Sequence, residues 1–534
     1  MKNGQQKSNR RSLRSLFGKV RNGAAAKGDG ITSAVSRKDR LLRIYFVVFC
    51  GILAALAIQT DFGIEELAGG FLIASLLLFI FYRDIMRYKP TYVKKYPMLL
   101  LLGLLVIGTL FIERLFGFLL LHLSKGLEYR FIESALYGIP VAAGAMLVSL
   151  IFDFHTAITF SFLVSLLTGL WLGDAAFTIY AFVSSITAAF GAIHCKKRSS
   201  ILKAGGYVIA VNIVTVMLIL LFQGYLFSDK AFPSILFAAL GGINVAALVS
   251  LLLPVLEYTF KVTTDISLLE LLDLNQPLMK NLMVTAPGTY HHSVIVGNLA
   301  ESAAEAVGAN PLLARVSAYY HDIGKIKMPD YFVENQGGSP SRHEKLTPHM
   351  SSMIIVNHVK EGAELARQYK LPEPIIEIMQ QHHGTMLVSY FYQKAKEKGE
   401  RSIPNEDDYK YHGPKPQTRV AALVMMADAV EAASRVLTDP TPARIASLVD
   451  RIINHIFLEG QLDECELTLK DIHEIKKRFS YILTGIFHRR VDYPGFDFSN
   501  EDLFKEPAKT HKNRPSEDSK RSPENVQASR PSQG

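Results

Sequence analysis

The sequence predicts an all-α protein: a polytopic helical membrane domain of about eight spans, then a cytoplasmic, all-helical domain. Three observations carry that prediction. Hydrophobic residues make up 49% of the 534-residue chain and charged residues only 20%, and the mean hydropathy is +0.17. The apolar residues of the first half fall in runs long enough to cross a bilayer. The second half changes to a helical hydrophobic period and gathers the histidines: nine of 16 lie between Leu282 and Asp428. This composition excludes disorder of the whole chain. Cys50, Cys195 and Cys465 lie far apart without a CxxC pair, which excludes a disulfide scaffold.

The formal net charge is +9, and its location decides its meaning. Residues 1–40 hold 11 Lys/Arg against 2 Asp/Glu, and residues 505–534 hold 7 against 4. The middle is therefore slightly acidic, and a DNA or RNA polymer is disfavoured as a partner. The basic lead, residues 1–40, reads as a cytoplasmic tail.

Eight apolar segments follow over residues 41–256, at about 41–59, 67–82, 97–121, 133–151, 155–172, 175–193, 205–227 and 233–256. Most have the length that crosses roughly 30 Å of hydrocarbon at about 1.5 Å per residue. The third is over-long and carries Glu113–Arg114, so its far end is expected to bend or to lie in the interface. Only Gly173–Asp174 separates the fifth from the sixth, which leaves two spans or one re-entrant hairpin. Ala55-Leu56-Ala57 resembles a signal-peptidase site, but the polar lead favours an uncleaved anchor. Basic residues collect in alternate loops: Arg83, Arg87, Lys89, Lys94 and Lys95, then Lys196, Lys197 and Arg198. That alternation predicts a multi-pass protein with both termini in the cytoplasm. Asn212, Gln223 and Asn244 are the polar groups noted in the spans, which favours an anchor or sensor over a transporter.

Residues 257–286 read as an amphipathic connector helix, and helix-rich sequence then runs to about 500. Residues 501–534, rich in Ser, Pro, Lys and Glu, are expected to be disordered. The histidines form a pattern: His291-His292 opening a helix, His321-Asp322 in YYHDIGK, His358 in NHVKEG, His382-His383 in QQHHG, and Asp428 in MMADAVEAASR. Each segment has helical periodicity, so its ligand can point inward from a separate helix of a bundle. Imidazoles with carboxylates suit Mn, Fe or Zn, and more than four such groups argue for two ions. A carboxylate such as Asp322 can bridge two cations, and Lys325 is placed to meet a substrate phosphate. Lys415 and Arg435 are further candidates for phosphate contact, although a solvated loop lysine is an equal reading of Lys415.

HDIGK with its flanks APGTYHHSVIVGNLAE, KIKMPDYFVENQ, IIVNHVKEGAELA, QQHHGT, YHGPKPQTR and MADAVEAASR resembles the HD phosphohydrolase superfamily. More narrowly, the chain resembles the seven-transmembrane HD-domain proteins, the PgpH-type phosphodiesterases of cyclic di-AMP. The resemblance implies an HD domain over 287–500 that binds two divalent ions, Mn or Fe. His292 (not His291), His321, Asp322 and Asp428 would hold one ion. Asp322, His358, His382 and His383 would hold the other. His291, His343 and His349 would support the site or the fold, and Asp322 and Lys325 would be catalytic. The implied reaction opens cyclic di-AMP to linear pApA at the cell membrane. The expected partners are that nucleotide, the lipid bilayer and a second copy of the chain.

Two departures stand out. Typical relatives carry a large extracytoplasmic domain between the first two spans, where this chain has about seven residues, Thr60–Glu66. Met328 and Val420 stand where many relatives have polar residues. The GYP tripeptide of the cyclic di-GMP branch is absent, and His382-His383 is followed by Gly384-Thr385-Met386. The alternatives are an HD hydrolase for another nucleotide (cyclic di-GMP or a guanosine polyphosphate), a non-enzymatic nucleotide-binding signalling protein, and a transporter with a regulatory domain.

Overall fold

Among the described residues, eight helical segments are long and apolar enough to cross a membrane, so the chain is a multi-pass membrane protein. The computed structural model describes residues 37–59, 63–125, 132–337, 340–397 and 404–487. Most of the basic lead and the whole of the 501–534 tail lie outside the described residues, as does the end of the expected HD domain. The first spans are α1 (Arg37–Ile58), α2 (Ile64–Tyr88) and α3 (Tyr96–Lys125). After a broken fourth span ending in α4 (Ala143–Ile151) come α5 (Phe154–Leu172), α6 (Ala175–Ile193), α7 (Arg198–Gln223) and α8 (Ala231–Phe260).

Three expectations change here. The third span is not interrupted at Glu113–Arg114: α3 runs unbroken for 30 residues. Glu113 is fully buried and accepts a hydrogen bond from Thr168 on α5 at 2.6 Å. Arg114 reaches the carbonyls of Leu56, Ala57 and Gln59 at the end of α1, satisfying acceptors that the helix leaves open. The re-entrant alternative also falls, because α5 and α6 each have 19 residues. Gly173 at φ 63° ends α5, and Asp174 caps α6 through the Ala176 N–H.

The fourth span is not a continuous helix. It starts as a short turn at Ile132–Ala135, tightens at Leu136–Gly138, and restarts as α4 after Pro140. Proline lacks the N–H that would continue the ladder. Neighbouring helices supply donors to the exposed carbonyls: Tyr180 to Tyr137 at 2.7 Å, Asn244 to Gly138 at 3.1 Å and Ser185 to Val141 at 3.3 Å. Irregular backbone at membrane depth is tolerated where protein groups satisfy it in this way. Small residues bring α7 and α8 together. A Cβ on Gly242 would lie 2.5 Å from the Ile209 side chain and 2.9 Å from its backbone nitrogen.

The connector is two short helices, α9 (Asp265–Leu271) and α10 (Pro277–Thr285). Asp273–Gln276 interrupts it with a turn, and Pro277 starts a fresh helix. Arg198, at the head of α7, donates to Glu257 at 3.0 Å and to Glu270 at 2.9 and 3.1 Å. The basic loop before α7 therefore lies on the same side as the connector. With the positive-inside pattern, that side is the cytoplasm.

The cytoplasmic domain packs α11 (Pro287–Val307), α12 (Pro311–Tyr320), α13 (Pro348–Gln368), α14 (Glu373–Gln381), α15 (Ser389–Glu397), α16 (Arg419–Ser434), α17 (Pro442–Leu458) and α18 (Leu469–Ile486). No strand occurs among the described residues, only one antiparallel bridge between Leu387 and Lys410. Its core includes Leu282, Val316, Tyr320, Ile323, Ile375 and Met379. The Tyr320 hydroxyl donates to the Leu271 carbonyl at 2.8 Å and ties α12 to the connector.

Replacing Arg198 with Ala removes the ion pairs to Glu257 and Glu270. The Arg198 side chain is 39% exposed, so the expected loss is about 1 kcal/mol and a lower Tm for the detergent-solubilised chain. An unchanged Tm would show that the junction does not depend on those pairs.

Candidate metal centre

Seven residues from five separate stretches converge on one buried volume. His292 lies in α11, His358 in α13 and Asp428 in α16. The other four do not sit within α-helices, as the helical period had suggested. His321 follows the end of α12, Asp322 opens the 3-10 turn Ile323–Lys327, and His382 and His383 follow the end of α14. Lys325 consequently shares no α-helical face with His321.

Backbone crowding explains the turn. A Cβ on Gly324 would fall 1.9 Å from the His358 carbonyl oxygen and 2.6 Å from the Gly362 nitrogen. Only glycine lets α13 approach the His-Asp turn backbone to backbone. That approach puts His358 Nε2 at 3.2 Å from Asp322 Oδ1.

The Asp322 carboxylate divides the site. Its Oδ1 faces His358 at 3.2 Å and His382 at 3.8 Å. Its Oδ2 faces His321 at 3.2 Å and His292 at 3.7 Å. Asp428 Oδ1 closes the second group, 2.9 Å from His292 Nε2 and 3.6 Å from His321 Nε2. Two four-residue sets result, His292–His321–Asp322–Asp428 and Asp322–His358–His382–His383, each with potential ligand atoms within 4.8 Å of one another.

Hydrogen bonding orients the imidazoles. Nδ1 of His321, His358 and His382 meets the carbonyl three residues earlier, that of Ala318, Ile355 and Met379, at 2.6, 2.5 and 2.5 Å. Donation there leaves each Nε2 lone pair turned inward. His358 and His382 then oppose Nε2 to Nε2 at 3.4 Å, two acceptors with no proton between them. His321 Nε2 and both Asp322 oxygens are buried without a well-directed hydrogen bond. Unsatisfied acceptors at this density call for cations, and the donor set fits two divalent ions.

The electrostatics agree for His382 and His383. Burial pulls His382 well below the usual imidazole range, helped by His383 and His321, and burial takes His383 down to about 3. Neutral imidazole is the metal-binding form. Burial would lower His321 too, but the Asp322 carboxylate overcomes it and raises the group to about 10. Burial works against charge on Asp322 and Asp428 as well. Facing histidines, with Lys325 beside Asp322, nevertheless hold both well below the carboxylate range. The surroundings of Asp322 and Asp428 therefore favour positive charge.

A cavity of about 800 Å³ opens onto the centre, lined by Lys325, Glu334, His343, Tyr411 and Arg435 among others. Lys325 Nζ lies between Asp322 Oδ2 at 2.7 Å and Glu334 Oε1 at 2.8 Å. Arg435 lines the cavity while paired with Glu431 at 2.8 Å. Lys415 does not line it and instead donates to the Gly460 carbonyl at 2.8 Å. His291 and His349 are exposed, and His343 is buried against the Tyr331 carbonyl at 2.8 Å.

The sequence reading missed three residues. Glu431 accepts from His292 Nδ1 at 2.5 Å and so orients an imidazole that lacks a backbone partner. Its position one turn after Asp428 was the available signal. Glu334 and Tyr411 lay inside quoted motifs but became notable only through the pairing with Lys325 and the ring stacked on His383.

A bundle of helices closed around a shared His-Asp pair is an HD domain, and an HD-domain model matches residues 289–433. A second model, "7TM receptor with intracellular HD hydrolase", matches residues 64–264, which hold the spans after α1. The chain belongs to this seven-transmembrane HD family. It is 41% identical over 366 residues to cyclic-di-AMP phosphodiesterase PgpH of Bacillus subtilis (strain 168), covering 67% of this chain and 51% of that one. It is 38% identical to PgpH of Listeria monocytogenes serotype 1/2a (strain 10403S), covering 73% and 54%. The chain thus spans about half the length of these curated relatives. The crystal structure of the L. monocytogenes PgpH HD domain in complex with cyclic-di-AMP is 48% identical, covers 41% of this chain and 100% of that one, and gives a TM-score of 0.39.

Two substitutions test the geometry. Glu431→Gln removes the charge behind His292 and should weaken metal affinity about 10–100-fold, read by manganese titration of the purified chain. Gly324→Ala forces α13 off the His-Asp turn, with an expected cost of about 1–3 kcal/mol and loss of bound metal by elemental analysis. Full metal content in Gly324→Ala would contradict the packing argument.

Proposed function

We propose that the chain is a membrane-anchored, two-metal phosphodiesterase that opens cyclic di-AMP to linear pApA and so lowers a second messenger. One observation carries the chemistry: the two oxygens of a single buried carboxylate, Asp322, each face a different set of imidazoles. The PgpH relatives carry the substrate, together with the absence of the GYP tripeptide.

In this reading His292, His321, Asp322 and Asp428 hold one ion, and Asp322, His358, His382 and His383 hold the other. Manganese and iron suit this imidazole–carboxylate set. Two such ions would supply the Lewis acidity that makes water nucleophilic near neutral pH and would neutralise charge on the phosphoryl oxygens. The protein's own part is placement. Asp322 fixes the spacing of the two sets, and the backbone carbonyls lock three imidazoles. Lys325 both anchors Asp322 and leaves positive charge on the cavity wall. The Glu334 partner holds that ammonium in place, and the Arg435 guanidinium adds a second cation for the substrate's phosphates. The domains follow the same reading: 1–40 tail, 41–256 membrane, 257–286 connector, 287–500 HD hydrolase and 501–534 tail.

The test uses the full chain in detergent or nanodiscs, loaded with manganese or iron and given cyclic di-AMP, cyclic di-GMP and a guanosine polyphosphate in parallel. Cyclic di-AMP should disappear fastest and yield pApA by chromatography, and a chelator should stop it. Asp322→Ala should lower turnover by roughly 10³-fold or more, since it removes a ligand from both ions. Metal-loaded protein that spares cyclic di-AMP while opening another nucleotide would overturn the substrate assignment.

A further inference from the structure

The reaction proposed above leaves one proton without a donor. When the bond from phosphorus to a ribose 3′ oxygen breaks, the electron pair stays on that oxygen, and an alkoxide leaves poorly unless it is protonated. Lys325 and Arg435, paired with Asp322, Glu334 and Glu431, are assigned above to the charge on the phosphoryl oxygens, and His343 Nε2 meets the Tyr331 carbonyl.

Tyr411 is placed differently. Its ring stacks on His383 with centroids 4.2 Å apart and planes at 28°, and it meets His358 edge-on at 6.1 Å. Its backbone N–H donates to the Met386 carbonyl at 3.0 Å, beside the bridge between Leu387 and Lys410. The ring is therefore fixed against one of the two metal sets, and it lines the cavity. Its hydroxyl makes no hydrogen bond to any described residue. Tyr331 and Tyr390 also line the cavity, but their ring contacts are with His343 and Phe391.

We infer that Tyr411 is a catalytic acid that gives its hydroxyl proton to the departing 3′ oxygen of the phosphodiester. In the balanced step, a water oxygen forms the new bond to phosphorus and the P–O3′ bond breaks. The electron pair left on O3′ takes the Tyr411 proton. The proton lost by the attacking water returns through cavity solvent to the tyrosinate. The inference rests on the phosphodiesterase reading but not on the identity of the base.

The test is Tyr411→Phe in the full, manganese-loaded chain, assayed on two substrates. Cyclic di-AMP expels an alkoxide that needs a proton. Bis(p-nitrophenyl) phosphate expels p-nitrophenolate, which is stable as an anion. The variant should lose about 10²-fold or more in kcat on cyclic di-AMP. It should keep its metal content and turn over the aryl ester at a rate of the same order as the wild type. Equal losses on both substrates, or no loss on cyclic di-AMP, would overturn the role. Wild-type protein that spares cyclic di-AMP defeats the substrate reading alone. The same ratio is then read with whichever nucleotide diester the protein opens, and opening none overturns both.

Discussion

The site depends on one carboxylate surrounded by imidazole nitrogens. Asp322 is buried, and its two oxygens are directed to opposite sides, so the position of each histidine is measured from it. An isolated carboxylate in such surroundings would be strongly disfavoured. The facing histidines and Lys325 offset that burial and hold it ionised. The rest of the domain serves that arrangement. Gly324 allows α13 to approach, three carbonyls orient His321, His358 and His382, and Glu431 does the same for His292.

The membrane domain meets a different constraint, the absence of water to satisfy backbone and polar groups. Its broken fourth span survives because Tyr180, Ser185 and Asn244 donate to the freed carbonyls. Arg114 does the reverse at the end of α1, a charged group whose donors are satisfied by backbone acceptors. The two domains meet through Arg198 and its glutamates, and Tyr320, adjacent to His321, is bonded to the connector. A continuous path of hydrogen bonds and covalent structure therefore joins the start of α7 to the metal centre.

Much of this was legible in the sequence. Run length and charge gave eight spans and their orientation, because those quantities depend on composition alone. The ligand types and their order along the chain marked the metal centre, and the buried member of the pair at 291 and 292 is His292, as the family resemblance implied. Local periodicity misled where tertiary contact overrides it. It placed His321 and Asp322 within a helix, yet the approach of α13 to Gly324 turns the chain there. It read the connector as one helix, although Asp273–Gln276 breaks it.

The sequence by itself thus determined the membrane-spanning plan, the helical class and the chemical identity of the seven convergent side chains. The spans and the helical class follow from residue type and spacing, and the seven side chains from the family resemblance carried by their motifs. Only the tertiary structure decided how Asp322 divides its oxygens, that Glu431 backs His292, that Lys415 faces Gly460 while Arg435 faces the cavity, and that Tyr411 stacks on His383. These are relations between segments many residues apart, set by packing distances of a few ångströms that no local pattern encodes.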